Sequence, residues 1–382
     1  MSFRTPSPLG LRLRAQSRPI IFATALSFGA VLLSFPVRAG EHSHTMAGDA
    51  MPPGMMMMSP PPVGVPGASM PAPGKTVAMF TNRWLHLDGT KAGTKDVSPE
   101  WVVLNGFNPN RPPVQYRRVP TSATIHVQGF GLTHGLTPWL SVNVAGAYIT
   151  KATRVTTFRG PAGTSVLGQR TDSTEGFGDT ALGAAVRLWQ GHGHRLHAGL
   201  SLSLPTGSIT ARIRPLMPTG AIGNARAGYS LQIGTGTYDL LPALTFTGKQ
   251  GRLGYGAAYR GRIALQDENS EGYRWGDMHM ATAWLSYDVT RTLTGSLRIE
   301  ATTRDAIDGR DVTIAGPGVG ANPLNTGGDR IDAYVGANLR GQVPGLGMAR
   351  IGTEFGVPLY ERANGIHLVR QWSFQLTGGL SF

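Results

Sequence analysis

The 382-residue sequence contains no cysteine, and only 15% of its residues are charged. The absence of cysteine excludes disulfide bonds, thiolate metal sites and cysteine nucleophiles. Beyond residue 40, no apolar run approaches the roughly 20 residues that a membrane-spanning helix needs. The 53 glycines further weaken any helical pattern. Strands that alternate polar and apolar residues and close into a barrel can satisfy every backbone group without a long apolar run.

The first 39 residues predict a secretory signal peptide, with an uncleaved anchor as the alternative. Basic residues precede an apolar stretch from Ile20 to Phe35, and Val37-Arg38-Ala39 supplies a cleavage site. This leader holds five of the 35 basic residues and no acidic one, which leaves 30 basic and 22 acidic residues after it. No basic run alternates with aromatic residues on one face, so nucleic acid is not an expected partner.

Residues 368–382 show the clearest strand pattern. Their apolar face consists of Trp372, Phe374, Leu376, Gly378, Leu380 and Phe382. The opposite face carries serine, threonine, glycine and glutamine, which suit a crowded barrel interior. This segment resembles the last strand of bacterial outer-membrane proteins, in which the terminal aromatic residue is part of an assembly signal. We therefore expect Phe382 to engage the barrel-assembly machinery.

The same alternation recurs along the chain and predicts an all-β fold. We expect a transmembrane antiparallel up-and-down β-barrel of about 12 strands over residues 76–382, with a soluble barrel as the alternative. The predicted long connections are 88–120, 152–175, 206–236, 267–273, 304–327 and 358–367. The predicted short ones are 133–137, 190–194, 249–251, 290–291 and 341–345. Alternating lengths are typical of a barrel in the outer membrane of a Gram-negative bacterium, with both termini periplasmic and lipid and lipopolysaccharide around it.

Three motifs occur in order along the barrel region. They are Gly176-Phe177-Gly178-Asp179-Thr180-Ala181-Leu182-Gly183, Leu204-Pro205-Thr206-Gly207 and Gly234-Thr235-Gly236-Thr237-Tyr238-Asp239-Leu240-Leu241-Pro242. Together they resemble the outer-membrane β-barrel transporter family named for the meta-pathway of phenol degradation. The resemblance covers residues 76–382 and implies an outer-membrane channel for small, often aromatic molecules. It does not define the solute.

Residues 40–75 differ in composition from the rest of the chain and predict a disordered periplasmic arm. The arm is rich in methionine, histidine and proline, and thioether and imidazole groups suit copper. Its candidate ligands for Cu(I) are His42, His44, Met46, Met51, Met55, Met56, Met57 and Met58. Compositional drift in a linker is the alternative. A second histidine cluster at His192, His194 and His197 indicates a polar turn rather than a metal site.

Inward positions of the predicted strands carry charged residues that could contact a solute or brace the barrel. These candidates are Arg187, Arg252, Arg260, Arg262, Arg298, Arg340, Arg350, Asp179, Asp239, Glu300, Asp332 and Glu354. The default interpretation is that opposite charges on neighbouring strands form ion pairs that brace the barrel interior. The excess of arginine suggests that the pore has a weak preference for anions.

The sequence therefore predicts an outer-membrane channel or transporter for small solutes. It leaves aromatic and anionic solutes as alternatives. One alternative is a copper- or soft-metal-binding envelope protein in which the arm is the functional part. Another is a structural or adhesive barrel. No Gly-x-Ser-x-Gly elbow or His-Glu-x-x-His motif occurs, so neither enzymatic activity nor a cofactor other than arm-bound Cu(I) is expected. The sequence does not define the solute, the direction of transport, the oligomeric state or whether loops plug the pore.

Overall fold

The computed structural model describes residues 59–109 and 114–382, and these form a closed antiparallel barrel. The barrel strands are β1 (Thr76–Ala92), β2 (Arg118–Gly135), β3 (Leu140–Phe158), β4 (Val166–Phe177), β5 (Thr180–Gly191), β6 (His194–Leu204), β7 (Asp239–Gln250), β8 (Leu253–Ala264), β9 (Met278–Asp288), β10 (Leu293–Arg304), β11 (Gly328–Val343), β12 (Gly347–Ala363) and β13 (Ile366–Ser381). Strand β1 closes the barrel because it pairs with both β2 and β13. The prediction of a 12-stranded barrel is confirmed, because β4 and β5 pair with successive parts of β3 and together form one position in the wall.

Short helices and strands lie within the connections between the barrel strands. The helix α1 (Pro99–Asn105) begins at the N-cap Ser98, whose side chain accepts a hydrogen bond from the Trp101 amide at 3.2 Å. Single turns of 3-10 helix occupy Tyr229–Leu231, Val319–Ala321 and Pro323–Asn325. Short strand pieces lie at Lys95–Val97, Phe107–Asn108, Val114–Gln115, Arg212–Ile213, Ala225–Arg226, Tyr273–Arg274 and Asp308–Gly309. No helix in the described part of the chain is long and apolar enough to span a membrane.

The two ends of the barrel differ in the length of their connections. The turn end, as we call it, has five tight connections and holds both ends of the barrel sequence, where the Thr76 amide donates to the Phe382 carbonyl at 2.9 Å. The loop end carries the long connections. The predicted long connections at 152–175 and 358–367 are mostly strand instead, because β3, β4, β12 and β13 continue toward this end. Residues 152–157 include three threonines and one valine, which favour strands, but they lack the apolar alternation that marks a lipid-facing segment.

Side chains alternate between the outer surface and the interior as the pattern predicts. On β10, Leu297 is 63% exposed on the outside, whereas its neighbours Ser296 and Arg298 are buried inside. Leucine, isoleucine and valine dominate the outer face, which suits contact with hydrocarbon. Among the tryptophans, Trp139 and Trp189 are exposed near the turn end, but Trp284 is buried in the interior and so contributes to no outer aromatic girdle.

The loop-end connections pack into an ordered cap, which we define as residues 205–238, 265–277 and 305–327. Tyr229, Tyr273 and Ile314 lie in one buried apolar cluster of this cap. The Asp311 amide donates to the Tyr229 hydroxyl at 3.0 Å, and burial raises the pKa of Tyr229 to about 12. A second cluster joins α1 to the cap through Val102, Val103 and Val319. The loop end of the interior is therefore covered by folded chain.

Candidate solute pathway

Residues 59–72 lie inside the barrel, and we call this segment the plug. Ser59 Oγ donates to Asp288 Oδ2 at 2.8 Å at the turn end, and the chain returns to that end where the Gly74 amide donates to the Gly135 carbonyl at 2.8 Å. The plug is therefore a loop inserted from the turn end. The sequence pattern predicts a disordered periplasmic arm over 40–75, but the structure lays the described part of this segment in the interior. Residues 40–58 lie outside the described residues.

Backbone carbonyls of the plug accept hydrogen bonds from interior side chains. The donor and acceptor pairs are Arg350 to Pro61, Gln375 to Val63 at 2.9 Å, Arg260 to Pro66 and His197 to Gly67 at 2.8 Å. The plug is rich in proline and glycine and has few side chains that can form hydrogen bonds. Side chains of the barrel therefore donate to the backbone carbonyls of the plug. Sequence periodicity could not identify this contact, because the plug has none.

The apex of the plug fits closely against the barrel wall. Val65 and Ala68 pack on Ala258 and Trp284 in a small apolar cluster. A Cβ atom at Gly64 would lie 2.1 Å from Glu354 Oε2 and 2.3 Å from Arg298 Nη2. Only glycine fits at this point, because both neighbouring groups belong to a buried ion pair.

Above the plug lies the inner chamber, a cavity of about 460 Å³. Pro66, Gly67 and Met70 form its floor, and Ile233 and Thr235 of the cap contribute to its roof. Its wall carries small residues, namely Ala145, Ala147, Ala181, Ala185, Gly199 and Ala243. The lining also includes the cations Arg260, Arg262 and Arg304 and the carboxylates Asp179 and Asp239, and Arg260 pairs with Ala243 on the neighbouring strand. The chamber therefore combines small uncharged residues with charged residues of both signs.

The outer chamber, a second cavity of about 380 Å³, lies on the loop-end side. Met278 and Arg304 line both chambers and so mark the constriction between them, which we call the waist. Lys151 lines the outer chamber near Arg304, and we count it as part of the waist. It donates to the carbonyls of Ser230 at 3.0 Å and Gln232 at 2.5 Å. The path through the barrel thus runs from the outer chamber past the waist to the inner chamber and ends at the plug.

The three sequence motifs meet at one place beside the inner chamber. Asp179 lies at the break between β4 and β5, and its carboxylate accepts hydrogen bonds from the Gly207 amide at 2.9 Å and the Thr235 amide at 2.8 Å. The Thr206 hydroxyl donates to the Gly178 carbonyl at 3.1 Å. A Cβ atom at Gly207 would lie 2.7 Å from the Gly234 Cα atom. The two glycines therefore allow two loop segments of the cap to pass close to each other. The motifs therefore anchor residues 205–238 to the barrel wall.

Replacing Asp179 by alanine should loosen this anchor. The variant loses three hydrogen bonds to one carboxylate, including that from the Thr235 hydroxyl at 2.9 Å, and we expect a loss of about 2–3 kcal/mol of unfolding free energy. Limited proteolysis should cleave residues 205–238 faster than in the unmodified protein. Asp96→Ala is the matched control, because Asp96 is exposed and its ion pair with Lys91 lies at the surface. Equal protease sensitivity of the two variants would contradict this role of Asp179.

The structure places most of the predicted charged residues in interior networks. Arg298 donates to both oxygens of Glu354 at 2.9 and 2.8 Å and also contacts Glu300. Asp332 accepts from two arginines that the strand pattern missed, Arg330 at 2.7 Å and Arg370 at 3.2 Å. Arg262 lies 3.5 Å from Asp239.

Other predicted residues lie at the turn end or contact the plug. Arg187 donates to the Pro138 carbonyl at 2.6 Å, and Arg252 is exposed on the turn between β7 and β8. Arg340 lies 3.9 Å from Asp288, whereas Arg260 and Arg350 bind plug carbonyls. The residues of the waist were missed by sequence reasoning. Lys151 is the last residue of a predicted strand, and Arg304 is the first residue of a predicted loop. Continuing the polar–apolar alternation of each strand by a few residues would have placed both side chains in the interior.

No group of three or more histidine, cysteine, aspartate or glutamate residues capable of holding a metal occurs within residues 59–109 and 114–382. In the predicted turn cluster, His194 Nε2 lies 2.7 Å from the Tyr255 hydroxyl, and His197 binds the plug. The Met and His candidates from His42 to Met58 lie outside the described residues.

Comparison with known structures defines the class of fold. An outer membrane channel from Pseudomonas putida F1 is 16% identical, with 82% of this chain and 97% of that chain covered and a TM-score of 0.51. The fold is thus that of an outer-membrane β-barrel. A FadL homologue of Pseudomonas aeruginosa is 11% identical over 80% of this chain and 90% of that chain, with a TM-score of 0.40. The Ralstonia pickettii toluene transporter TbuX is 10% identical over 81% and 89%, with a TM-score of 0.37.

A sequence model of the family described as "MetA-pathway of phenol degradation" matches residues 115–214. The resemblance inferred from the three motifs is confirmed over this segment, which contains the first two of them. No curated protein matches the sequence.

Proposed function

We propose that this protein is an outer-membrane channel for small solutes, with the plug as its closure. The observation that carries the proposal is the alignment of two chambers inside a closed barrel, joined at the waist and stopped by a loop inserted from the turn end. A purely structural barrel would have no need for cavities of this size along its axis, because interiors normally pack to high density.

The turn end faces the periplasm in this proposal, since short turns and both barrel termini lie on that side in bacterial barrels. The exposed leucine, isoleucine and valine side chains then contact lipid, and the cap faces lipopolysaccharide. The barrel-assembly machinery would recognise β13, which ends beside Phe382. Trp139 and Trp189 would lie at the periplasmic interface, where tryptophan is favoured.

The plug is suited to reversible displacement because neutral acceptors hold it. Apart from Ser59, its hydrogen bonds to the wall use backbone carbonyls, and such a bond contributes about 0.5–1.5 kcal/mol net. Water can replace each acceptor once the plug leaves. The plug has no charged side chain, so no ion pair has to be broken.

Replacing Gly64 by leucine should expel the plug and raise single-channel conductance several-fold. The new side chain cannot fit against the Arg298 and Glu354 pair, and overpacking of this kind typically costs about 1–3 kcal/mol. Conductance of the refolded protein in a planar lipid bilayer provides the measurement. Ala72→Leu is the matched control, because Ala72 lies in the plug, is exposed and lines neither chamber. If both variants conduct like the unmodified protein, the plug does not close the path.

We propose small organic molecules as the solutes, given the small uncharged residues that line much of the inner chamber and the family resemblance. Transport through the refolded channel into liposomes tests this assignment, with uptake of small aromatic compounds compared with that of glucose. The soft-metal alternative depends on residues 42–58 and stays a prediction. Copper titration of a peptide spanning these residues checks it directly.

A further inference from the structure

We infer that the waist binds the acidic group of a small organic anion, so that small carboxylates with an apolar body are the preferred solutes. This inference rests on the proposed channel function and adds the class of solute. Lys151 and Arg304 provide the positive charge, and the apolar sides of the two chambers accept the remainder of the molecule.

The two cations have no carboxylate partner among the described residues. Lys151 donates to two backbone carbonyls, and Arg304 Nε lies 3.1 Å from the Met278 sulfur. Thioether sulfur is a weak acceptor. The Arg304 Cζ atom also lies 5.4 Å from the centroid of the Trp275 ring. An anion would therefore supply Arg304 with a better acceptor than it has in the closed structure.

The acidic residues near the waist are already engaged. The Asp179 carboxylate accepts from backbone amides of the cap, and Asp239 accepts from the Thr237 hydroxyl at 2.6 Å and lies beside Arg262. In the outer chamber Asp329 pairs with Arg362. Among the described residues, none of these carboxylates lies within ion-pair distance of Lys151 or Arg304, so an entering anion could bind both cations directly.

Charge along the outer chamber favours anions as well. Its basic lining residues are Lys151, Arg304, Arg330, Arg362 and Arg370, and its acidic ones are Asp329 and Glu361. Opposite the waist, the inner chamber adds Arg260, whose Nε is buried and has no hydrogen-bond partner among the described residues. A carboxylate could thus pass from the waist to Arg260 and compete there with the Pro66 carbonyl of the plug.

The size and lining of the chambers define the rest of the ligand. Leu87, Ile125 and Ile366 give the outer chamber an apolar side, and alanines line the inner one. An apolar cavity of about 150 Å³ holds benzene. Each chamber exceeds that volume, so a single ring or a short branched chain beside the carboxylate fits without rearrangement of the barrel.

Binding of benzoate, benzamide and benzylamine to the refolded protein in detergent tests the inference. The three probes share one ring and differ in charge, and fluorescence of Trp275 reports on the waist because its ring contacts Arg304. The difference between the unmodified protein and Trp275→Phe isolates this signal. We expect benzoate to bind at least about tenfold more tightly than either other probe, since charge-assisted hydrogen bonds are roughly twice as strong as neutral ones.

Arg304→Gln and Lys151→Met should each weaken benzoate binding by about tenfold, whereas Arg304→Lys should keep the preference for benzoate over benzamide. Arg212→Gln is the matched control, because Arg212 is an exposed cap residue that lines neither chamber, and the benzoate affinity of this variant should stay within about twofold. Heat-modified migration on gels checks that each variant folds. Equal binding of the three probes, or unchanged benzoate binding in both waist variants, would overturn the inference.

Flux measurements keep the inference separate from the proposed function. With the Gly64→Leu channel in liposomes, benzoate should enter faster than benzamide. Entry of both at equal rates, with no benzoate binding at the waist, would reject the anion site but keep the channel. Benzoate binding without entry of any probe would reject the channel and leave only the binding site.

Discussion

A chain that begins at Pro73 is expected to form a barrel with an open interior and a conductance several-fold above that of the full mature chain. Truncation at this point removes every contact of the plug, including the carbonyls that Arg260 and Arg350 bind. The barrel keeps the hydrogen bonds between its strands, because β1 begins at Thr76 and pairs with both β2 and β13. Single-channel recording in planar bilayers provides the measurement.

A chain that begins at Ser59 is the matched control for this truncation. It lacks residues 40–58 but keeps the whole plug, so we expect its conductance to equal that of the mature chain. A high conductance in both truncations would show that closure depends on the preceding residues instead. A low conductance in both would assign closure to the cap, whose clusters cover the loop end.

Replacing Arg298 by methionine is expected to destabilise the barrel by about 3–5 kcal/mol, the typical cost of removing one partner from a buried ion pair. Arg298 is 4% exposed, contacts Glu354 through two nitrogen atoms and lies 3.8 Å from the centre of the Tyr334 ring. Without it, Glu300 and Glu354 are left as buried carboxylates. Urea unfolding in detergent micelles, followed by tryptophan fluorescence, provides the measurement.

Two further variants test the electrostatic origin of this loss. Arg362→Met removes an exposed arginine from its pair with Asp329 and should cost no more than about 1 kcal/mol. Combining Arg298→Met with Glu300→Gln and Glu354→Gln should recover part of the stability, because no uncompensated buried charge is left. No recovery would indicate that packing on Tyr334 dominates.

The barrel could be predicted from sequence because its strands carry an unambiguous signal. On β10, apolar Leu297 and Ile299 alternate with Ser296, Arg298 and Glu300, and this pattern fixes which face of the strand meets the interior. The same pattern predicted the buried positions of Asp332 and Glu354. Charge pairing between neighbouring strands followed from the register that the alternation imposes.

The solute pathway could be predicted only in part. The plug has no periodicity, and its position depends on donors from distant strands, such as Gln375 and His197. Lys151 and Arg304 lie beyond the apolar part of their strands, where a pattern based on lipid contact ends. Asp179 was predicted to join a network of ion pairs or to contact a solute, but it binds backbone amides of the cap. Such a contact depends on how the cap folds, and the local sequence does not encode it.

The carbonyl contacts of the plug have a consequence for the evolution of this segment. Every polypeptide carries the same carbonyl groups, so Arg260, Arg350, Gln375 and His197 recognise a chain path and not particular side chains. Positions between Ser59 and Ala72 that lie outside the packed apex of Gly64, Val65 and Ala68 are therefore free to vary, provided that they stay uncharged. Related proteins could hold unrelated sequences in the same place, and alignment of their amino termini would not reveal the shared closure.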